Sequence, residues 1–121
     1  MKVMALIYGD ASRWETFSDA EREAVYARYG AFGDEARDAG VLLGGAELAS
    51  TRDATTVRVR NEETLVTDGP YAEVKEALGG YYVFEVDTMD EALDLAAKIP
   101  GAERGAVEVR PIYVDPAEPQ L

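Results

Sequence analysis

Two segments of the chain are apolar at nearly every position, which places apolar side chains on both faces of an extended strand. They comprise residues 3–8 and residues 81–86. This pattern is typical of central strands that are covered on both sides. Residues 41–43 predict a further strand, which the two following glycines should interrupt with a bulge, and residues 106–113 predict the last strand.

Two other segments repeat apolar residues at helical spacing, and a capping box precedes each of them. Ser18 with Glu21 forms the first box, and Thr88 with Glu91 forms the second. The apolar stripes consist of Val25, Tyr29, Phe32, Ala36 and Ala39, and of Met89, Ala92, Leu93, Ala96 and Ile99. We therefore predict two helices, the first of which ends at Gly40.

Residues 55–60 alternate between apolar and polar side chains, and residues 64–67 return in the same way after a turn at residues 61–63. Val57 and Val59 share one face of this segment, whereas the arginines between and after them share the other. The pattern predicts a β-hairpin with one polar face.

The predicted order is β-α-β, a β-hairpin, and β-α-β. Without the hairpin this is a ferredoxin-like β-α-β-β-α-β arrangement of the α+β class, in a single domain at residues 1–114 with a polar tail at residues 115–121. Both helices should cover one face of the sheet. Because a chain of 121 residues has no element left to cover the other apolar face, we predict a homodimer packed sheet to sheet.

Charge and residue usage exclude several classes of function. The net charge of −12 opposes direct binding to nucleic acid or to an anionic membrane surface. The chain has neither cysteine nor histidine, so acid–base chemistry must use Asp, Glu, Tyr or Lys, and an intrinsic metal site would need oxygen ligands. The apolar N-terminal segment is too short to span a membrane and lacks a signal-peptide cleavage region, so a cytoplasmic location is expected.

The residues after the hairpin form a recognisable series. Asp-Gly-Pro-Tyr occupies residues 68–71, Glu73 and Lys75 follow, and Gly-Gly-Tyr comes at residues 79–81. Together with the first strand and the closing strand, this series resembles the DGPF-domain family, a branch of the YCII-related proteins. The resemblance covers residues 1–114.

The resemblance implies a dimeric α+β barrel of the ferredoxin-like type without an established biochemical role. Members are often encoded beside extracytoplasmic-function sigma factors, which suggests a sigma-factor-related protein as a partner. Relatives have been proposed as enzymes that use a histidine–aspartate pair, a pair that this chain cannot form. Tyr71 stands where the family's name-giving phenylalanine would be, and its hydroxyl matters only if the ring faces a pocket.

Asp68 is the candidate catalytic residue, although Asp-Gly-Pro is first of all turn chemistry, in which the aspartate bonds the backbone amides that follow. As a functional group, Asp68 would act as an acceptor or base in a pocket at a strand end. The candidate ligand-binding residues are Tyr8, Tyr29, Arg58, Tyr71 and Lys75. A wider set of tyrosines is expected in the core with hydroxyls at its edge, namely Tyr8, Tyr26, Tyr29, Tyr81 and Tyr82.

Two functions follow from these observations. The first is a homodimeric pocket protein that binds a small-molecule ligand or regulates a partner, and the absence of histidine and cysteine favours it. The second is a small-molecule enzyme of the dimeric α+β barrel type that transfers protons through Asp or Tyr, and Asp68 beside the tyrosines favours that alternative. No cofactor and no metal site are predicted.

Overall fold

A computed structural model describes residues 1–117 of the protein. The strands are Lys2–Gly9 (β1), Leu42–Glu47 (β2), Thr55–Arg60 (β3), Glu63–Asp68 (β4), Ala77–Glu85 (β5) and Ala106–Pro111 (β6). The helices are Ala11–Glu15 (α1), Asp19–Asp38 (α2) and Met89–Ala97 (α3), with short 3₁₀ turns at Thr51–Asp53 and Pro100–Glu103. The tail predicted at residues 115–121 lies outside the described residues from position 118 onward.

The main sheet has four antiparallel strands in the order β2-β5-β1-β6. This is the order of a ferredoxin-like α+β fold once the β3–β4 hairpin is set aside, as the sequence predicts. β1 and β5 occupy the centre, in agreement with their nearly continuous apolar sequences. The expected bulge is present where β2 pairs with β5, because the register shifts between Leu42 and Gly44.

The core lies between one face of this sheet and the helices α2 and α3. Val3 and Ala5 of β1 and Phe84 of β5 are fully buried, and they pack with Phe32 of α2 and Ala92 of α3. Apolar burial of this kind is the main source of stability for such a domain. The core therefore holds the central strands and both long helices in one unit.

Both predicted capping boxes mark the start of a helix. The Ser18 hydroxyl accepts a hydrogen bond from the Glu21 amide at 3.1 Å, and the Glu21 carboxylate accepts one from the Ser18 amide at 2.9 Å. At α3, the Thr88 hydroxyl accepts a hydrogen bond from the Glu91 amide at 3.2 Å. The Glu91 carboxylate accepts its bond from the Asp87 amide at 3.0 Å instead of from the Thr88 amide, so the second box is only half formed. Gly40 follows α2 with φ of +74°, which confirms its predicted role at the helix end.

The helix α1 is an element that the sequence analysis did not predict. The Asp10 carboxylate caps it by accepting a hydrogen bond from the Ser12 amide at 2.9 Å. No residue of α1 is buried, and the Arg22 guanidinium of α2 donates hydrogen bonds to the backbone carbonyls of Trp14 and Glu15 at 3.1 and 3.2 Å. Polar contacts thus hold α1 beside α2, which hydrophobic periodicity does not reveal.

The side of the main sheet that faces away from the helices carries a row of partly exposed apolar residues. The strand register places Met4 beside Val83, and Leu6 beside Tyr81, on this side. None of the four belongs to the buried core that the helices form. The hairpin also presents apolar side chains, since Val57 and Val66 face each other and are 60% and 65% exposed. Among residues 1–117, no helix is long and apolar enough to cross a membrane.

Candidate ligand-binding site

A cavity of about 650 Å³ lies at the end of the sheet where β1 ends and β5 begins. Its walls come from α1, the first half of α2, the ends of β1 and β2, the start of β5, and the turn between α3 and β6. Small-molecule sites in proteins typically have volumes of about 300 to 1,000 Å³. The cavity is therefore large enough for a small organic molecule.

Several aromatic residues belong to the lining of this cavity. Trp14 lies 5.5 Å from Phe17 and 5.5 Å from Tyr26 between ring centroids, with an edge-on arrangement toward Tyr26. The aromatic lining residues are Tyr8, Trp14, Phe17, Tyr26, Tyr29, Tyr81 and Tyr82. Such rings offer a large apolar surface and, for tyrosine, a polar hydroxyl at the edge. The lining thus favours a ligand with an apolar or planar portion.

Glycines let the strands and turns approach each other closely around the cavity. A β-carbon at Gly45 would lie 2.5 Å from the Tyr81 carbonyl oxygen, and one at Gly80 would lie 2.9 Å from the Ala46 carbonyl oxygen. At Gly101 a β-carbon would come within 2.7 Å of the Tyr29 hydroxyl. These glycines therefore permit the strand pairing and the turn that shape the cavity walls.

Tyr26 and Glu47 connect α2 to the end of β2 at the cavity. The Tyr26 hydroxyl donates a hydrogen bond to the Glu47 carboxylate at 3.0 Å. Partial burial raises the pKa of Tyr26, and the hydrogen bond to Glu47 raises it further. The Tyr26 phenol consequently stays neutral near neutral pH, which makes it a binding element and a poor proton donor.

Tyr29 lies deeper in the cavity wall, next to the core. Burial raises the pKa of its phenol, while the backbone amide of Gly101 and the charge of Arg104 act in the opposite direction. The phenol therefore remains protonated near neutral pH and can donate a hydrogen bond to a bound molecule.

Replacing Tyr29 with phenylalanine should make the protein less sensitive to alkaline pH. The pKa of Tyr29 is raised from 10.0 in the folded state, so its neutral form is favoured there. The associated stabilisation is complete below the unfolded pKa and is lost as the pH rises through the folded pKa. Urea unfolding at about pH 8 and about pH 11 should show a smaller loss of stability for Tyr29→Phe than for the wild type. The exposed Tyr71→Phe provides the control, and an equal effect of both changes would contradict the expectation.

The carboxylates at the cavity all have protein partners among the described residues. The Asp10 carboxylate accepts hydrogen bonds from the Ser12 amide and hydroxyl, at 2.9 and 2.6 Å. The hydroxyl bond is the largest cause that lowers the pKa of Asp10. Glu15 forms an ion pair with Arg52 at 3.0 Å. Glu47 accepts the hydrogen bond from the Tyr26 hydroxyl. Each of the three acids at the cavity is therefore already bonded to another residue of the protein.

The structure places the predicted site residues in two groups. Tyr8 and Tyr29 line the cavity. Arg58 and Tyr71 form a separate contact at the hairpin, where the guanidinium lies 5.2 Å from the ring centroid. Lys75 follows in the segment before β5, close enough to Asp10 to lower the pKa of that carboxyl slightly. The predicted ligand-binding set therefore does not converge on one site within a single chain.

Asp68 ends β4 opposite Thr55 and is exposed, away from the residues that line the cavity. The turn that follows agrees with the prediction, because Gly69 has φ of +104° and its amide donates to the Ala54 carbonyl at 2.8 Å. The prediction that the Asp68 carboxylate accepts hydrogen bonds from the amides that follow it was wrong. That carboxylate accepts no hydrogen bond from residues 1–117. A catalytic role for Asp68 stays a prediction.

Several lining residues were not predicted as part of a site. Trp14, Phe17 and Arg104 belong to short connecting segments without periodicity, so that no pattern indicates which way their side chains face. Of the five tyrosines that were expected in the core, Tyr29 and Tyr82 pack against it, and all five are among the residues that line the cavity. Their clustering on elements that meet in space was the one signal that could have indicated the site.

Comparison with known proteins defines the family. A family model described as the YCII-related domain matches residues 1–114. An uncharacterized protein of Rhizobium meliloti (strain 1021) is 39% identical over 114 residues, which cover 93% of this chain and 92% of that protein. The chain therefore belongs to the YCII-related family.

Proposed function

We propose that this YCII-related protein is a ligand-binding protein whose cavity takes a small organic molecule with an aromatic or planar portion. The observation that carries the proposal is the cavity of about 650 Å³ whose lining includes Trp14, Phe17, Tyr26 and Tyr29. An apolar pocket with a few convergent polar groups is the usual form of a small-molecule site. The Tyr29 phenol and the Tyr26–Glu47 pair supply such groups.

Binding is favoured over catalysis by the state of the ionisable groups. An enzyme without histidine would need a carboxylate or phenolate with a pKa suited to proton transfer at neutral pH. The carboxylates that line the cavity are engaged by partners within the described chain, and the pKa values of Tyr26 and Tyr29 are raised. We therefore propose a pocket protein, with the Asp/Tyr enzyme as an alternative.

The proposal can be tested with Trp14, which is the only tryptophan in the chain and lines the cavity. Its fluorescence therefore reports on this site alone. We expect para-nitrobenzamide, a neutral aromatic quencher, to reduce the emission along a saturable binding curve. Quenching that rises linearly without saturation would show only collisions and would contradict the proposal.

A matched pair of glycine variants makes this test specific. Gly101→Ala should weaken binding by about threefold or more, because the added carbon lies 2.7 Å from both the Tyr29 hydroxyl and the Ile7 side chain and must displace one of them. Gly30→Ala adds the same group on α2 where no atom lies within 4 Å of it, so it should bind like the wild type. Equal binding by both variants would show that the probe binds outside the cavity.

We also propose that the protein forms a homodimer through the sheet face opposite the helices. The support is the apolar row of Met4, Leu6, Tyr81 and Val83 on that face, together with the exposed valines of the hairpin. A contiguous group of apolar side chains on a protein surface commonly marks an interface. A regulatory role toward a sigma-factor-related partner, suggested by the DGPF resemblance, stays a prediction.

A further inference from the structure

We propose that the molecule bound in the cavity is a small aromatic carboxylate, with its carboxylate held by the guanidinium of Arg104 and assisted by Arg13. This inference rests on the proposed ligand-binding function and names the chemical class of the ligand. It follows from a comparison of the charged groups that line the cavity, which are Asp10, Arg13, Glu15, Glu47, Arg52 and Arg104.

The negative groups in this set are already satisfied by the protein. Asp10 accepts two hydrogen bonds from Ser12, and Glu47 accepts one from the Tyr26 hydroxyl at 3.0 Å. Glu15 pairs with Arg52 at 3.0 Å, which also satisfies one of the three arginines. A cationic ligand would therefore have to compete with existing partners for each carboxylate.

The other two arginines have no such partner. Among residues 1–117, neither Arg13 nor Arg104 forms an ion pair, although the chain carries twice as many acidic as basic residues, 24 against 12. Arg58 and Arg60 also lack an ion pair among these residues, but neither of them lines the cavity, whereas Arg13 and Arg104 both do. The charge that the cavity leaves unsatisfied is therefore positive.

Arg104 is placed to meet the polar end of an aromatic ligand. Its guanidinium lies 4.8 Å from the ring centroid of Phe17, and its charge is felt by the Tyr29 phenol deeper in the cavity. Stacking on a ring restricts the guanidinium while leaving its N–H groups available in the plane of the fork. A carboxylate matches this geometry with two parallel hydrogen bonds.

Two further acids lie near Arg104, and each is engaged elsewhere. Glu21 belongs to the capping box with Ser18. Glu103 forms a two-point pair with Arg28, whose nitrogens lie 2.9 and 2.5 Å from its oxygens. The fields of both acids reach Arg104, but their hydrogen bonds hold them to other residues. Arg104 thus has acids nearby without a direct ion pair to either of them.

The test compares three probes of the same shape and different charge, read through Trp14 fluorescence. They are para-nitrobenzoate, its neutral isostere para-nitrobenzamide, and its cationic isostere para-nitrobenzamidinium. We expect the wild-type protein to bind the benzoate about tenfold or more tightly than the benzamide, because a charge-assisted hydrogen bond is stronger than a neutral one. The amidinium should bind most weakly.

Variants then assign this preference to the arginine. Arg104→Gln should remove the preference for the benzoate over the benzamide, since the charge-assisted bonds are lost. Arg37→Gln removes the same charge from the surface of α2, where Arg37 pairs with Asp34 at 2.9 Å outside the cavity, and should keep the preference. Circular dichroism checks that both variants are folded.

The outcomes separate this inference from the proposed function. If the benzamide or the amidinium binds as tightly as the benzoate, the carboxylate assignment is overturned, while the cavity remains a ligand site. If Arg104→Gln keeps the benzoate preference, the assignment to Arg104 is overturned. If none of the three probes gives saturable quenching, the proposed function and this inference both fail.

Discussion

Phe84→Ala should lower the free energy of unfolding by about 3 to 5 kcal/mol, the range found when a buried phenylalanine is truncated. Phe84 is 0% exposed and lies on the central strand β5. It pairs with Val3 of β1 and Leu42 of β2 across the sheet. Its ring also contacts Phe32 edge-on at 6.1 Å. Because strands and a helix meet at this one side chain, its neighbours can move inward to fill the space only in part.

Such a loss is a large fraction of the stability of a small domain, which is about 5 to 15 kcal/mol. Urea unfolding followed by circular dichroism would measure it. Leu93→Ala on α3 is a suitable control, since Leu93 is 49% exposed and its truncation should cost less than about 1 kcal/mol. Equal losses in the two variants would show that Phe84 is not the centre of the core.

Phe84→Ala should also change the wall of the cavity. The ring of Tyr82 stacks on Phe84 at 5.7 Å between centroids, and Tyr82 lines the cavity wall. With its partner removed, Tyr82 loses the contact that holds it against the core. The core therefore supports the cavity wall directly. A core variant such as Phe84→Ala can change ligand binding because it removes the contact that positions Tyr82.

The architecture could be predicted because local patterns carry it. Residues 3–8 and 81–86 are apolar on both faces, and they form the two central strands. The capping boxes at Ser18 and Thr88 mark both long helices within one residue. Both kinds of pattern involve residues close together in sequence, so the type of secondary structure can be predicted from them directly.

The cavity could not be predicted, because it depends on how distant segments meet. Helical and strand periodicity shows which face of an element is apolar, but it does not show how deeply a side chain is buried. Tyr29 packs against the core as expected, but it also lines the cavity, as does Tyr26, which is exposed instead of buried in the core. Trp14 and Arg104 come from α1 and from the turn before β6, whose positions depend on contacts between distant residues.

In the Asp-Gly-Pro turn, the backbone could be predicted from the sequence, whereas the position of the aspartate side chain could not. Glycine takes positive φ without a steric penalty and proline restricts the chain that follows, so the backbone of the turn could be predicted from residue type. Gly69 confirms this with φ of +104°. The direction of the Asp68 side chain depends on its surroundings, and these consist of the exposed end of the hairpin.

The proposed homodimer leads to the second large effect. The sheet face away from the helices carries Met4 beside Val83, and Leu6 beside Tyr81, at the centre of the sheet. In a two-fold symmetric dimer one substitution changes the interface twice. Burying an unpaired charge at such a position costs about 3 kcal/mol or more. A single charge at the centre of this face should therefore separate the protomers.

We expect Val83→Lys to convert the dimer to a monomer while the domain stays folded. Val83 points away from the buried core, so that lysine can extend into solvent once the partner has left. Light scattering at about 50 μM, far above the dissociation constant of a stable dimer, should give the monomer mass of 13.2 kDa for the variant and twice that mass for the wild type. Leu93→Lys adds the same charge on α3, on the opposite side of the sheet, and should leave the dimer intact. A wild-type mass of one protomer would refute the proposed dimer. Loss of the dimer in both lysine variants would show that the interface is not specific to this face of the sheet.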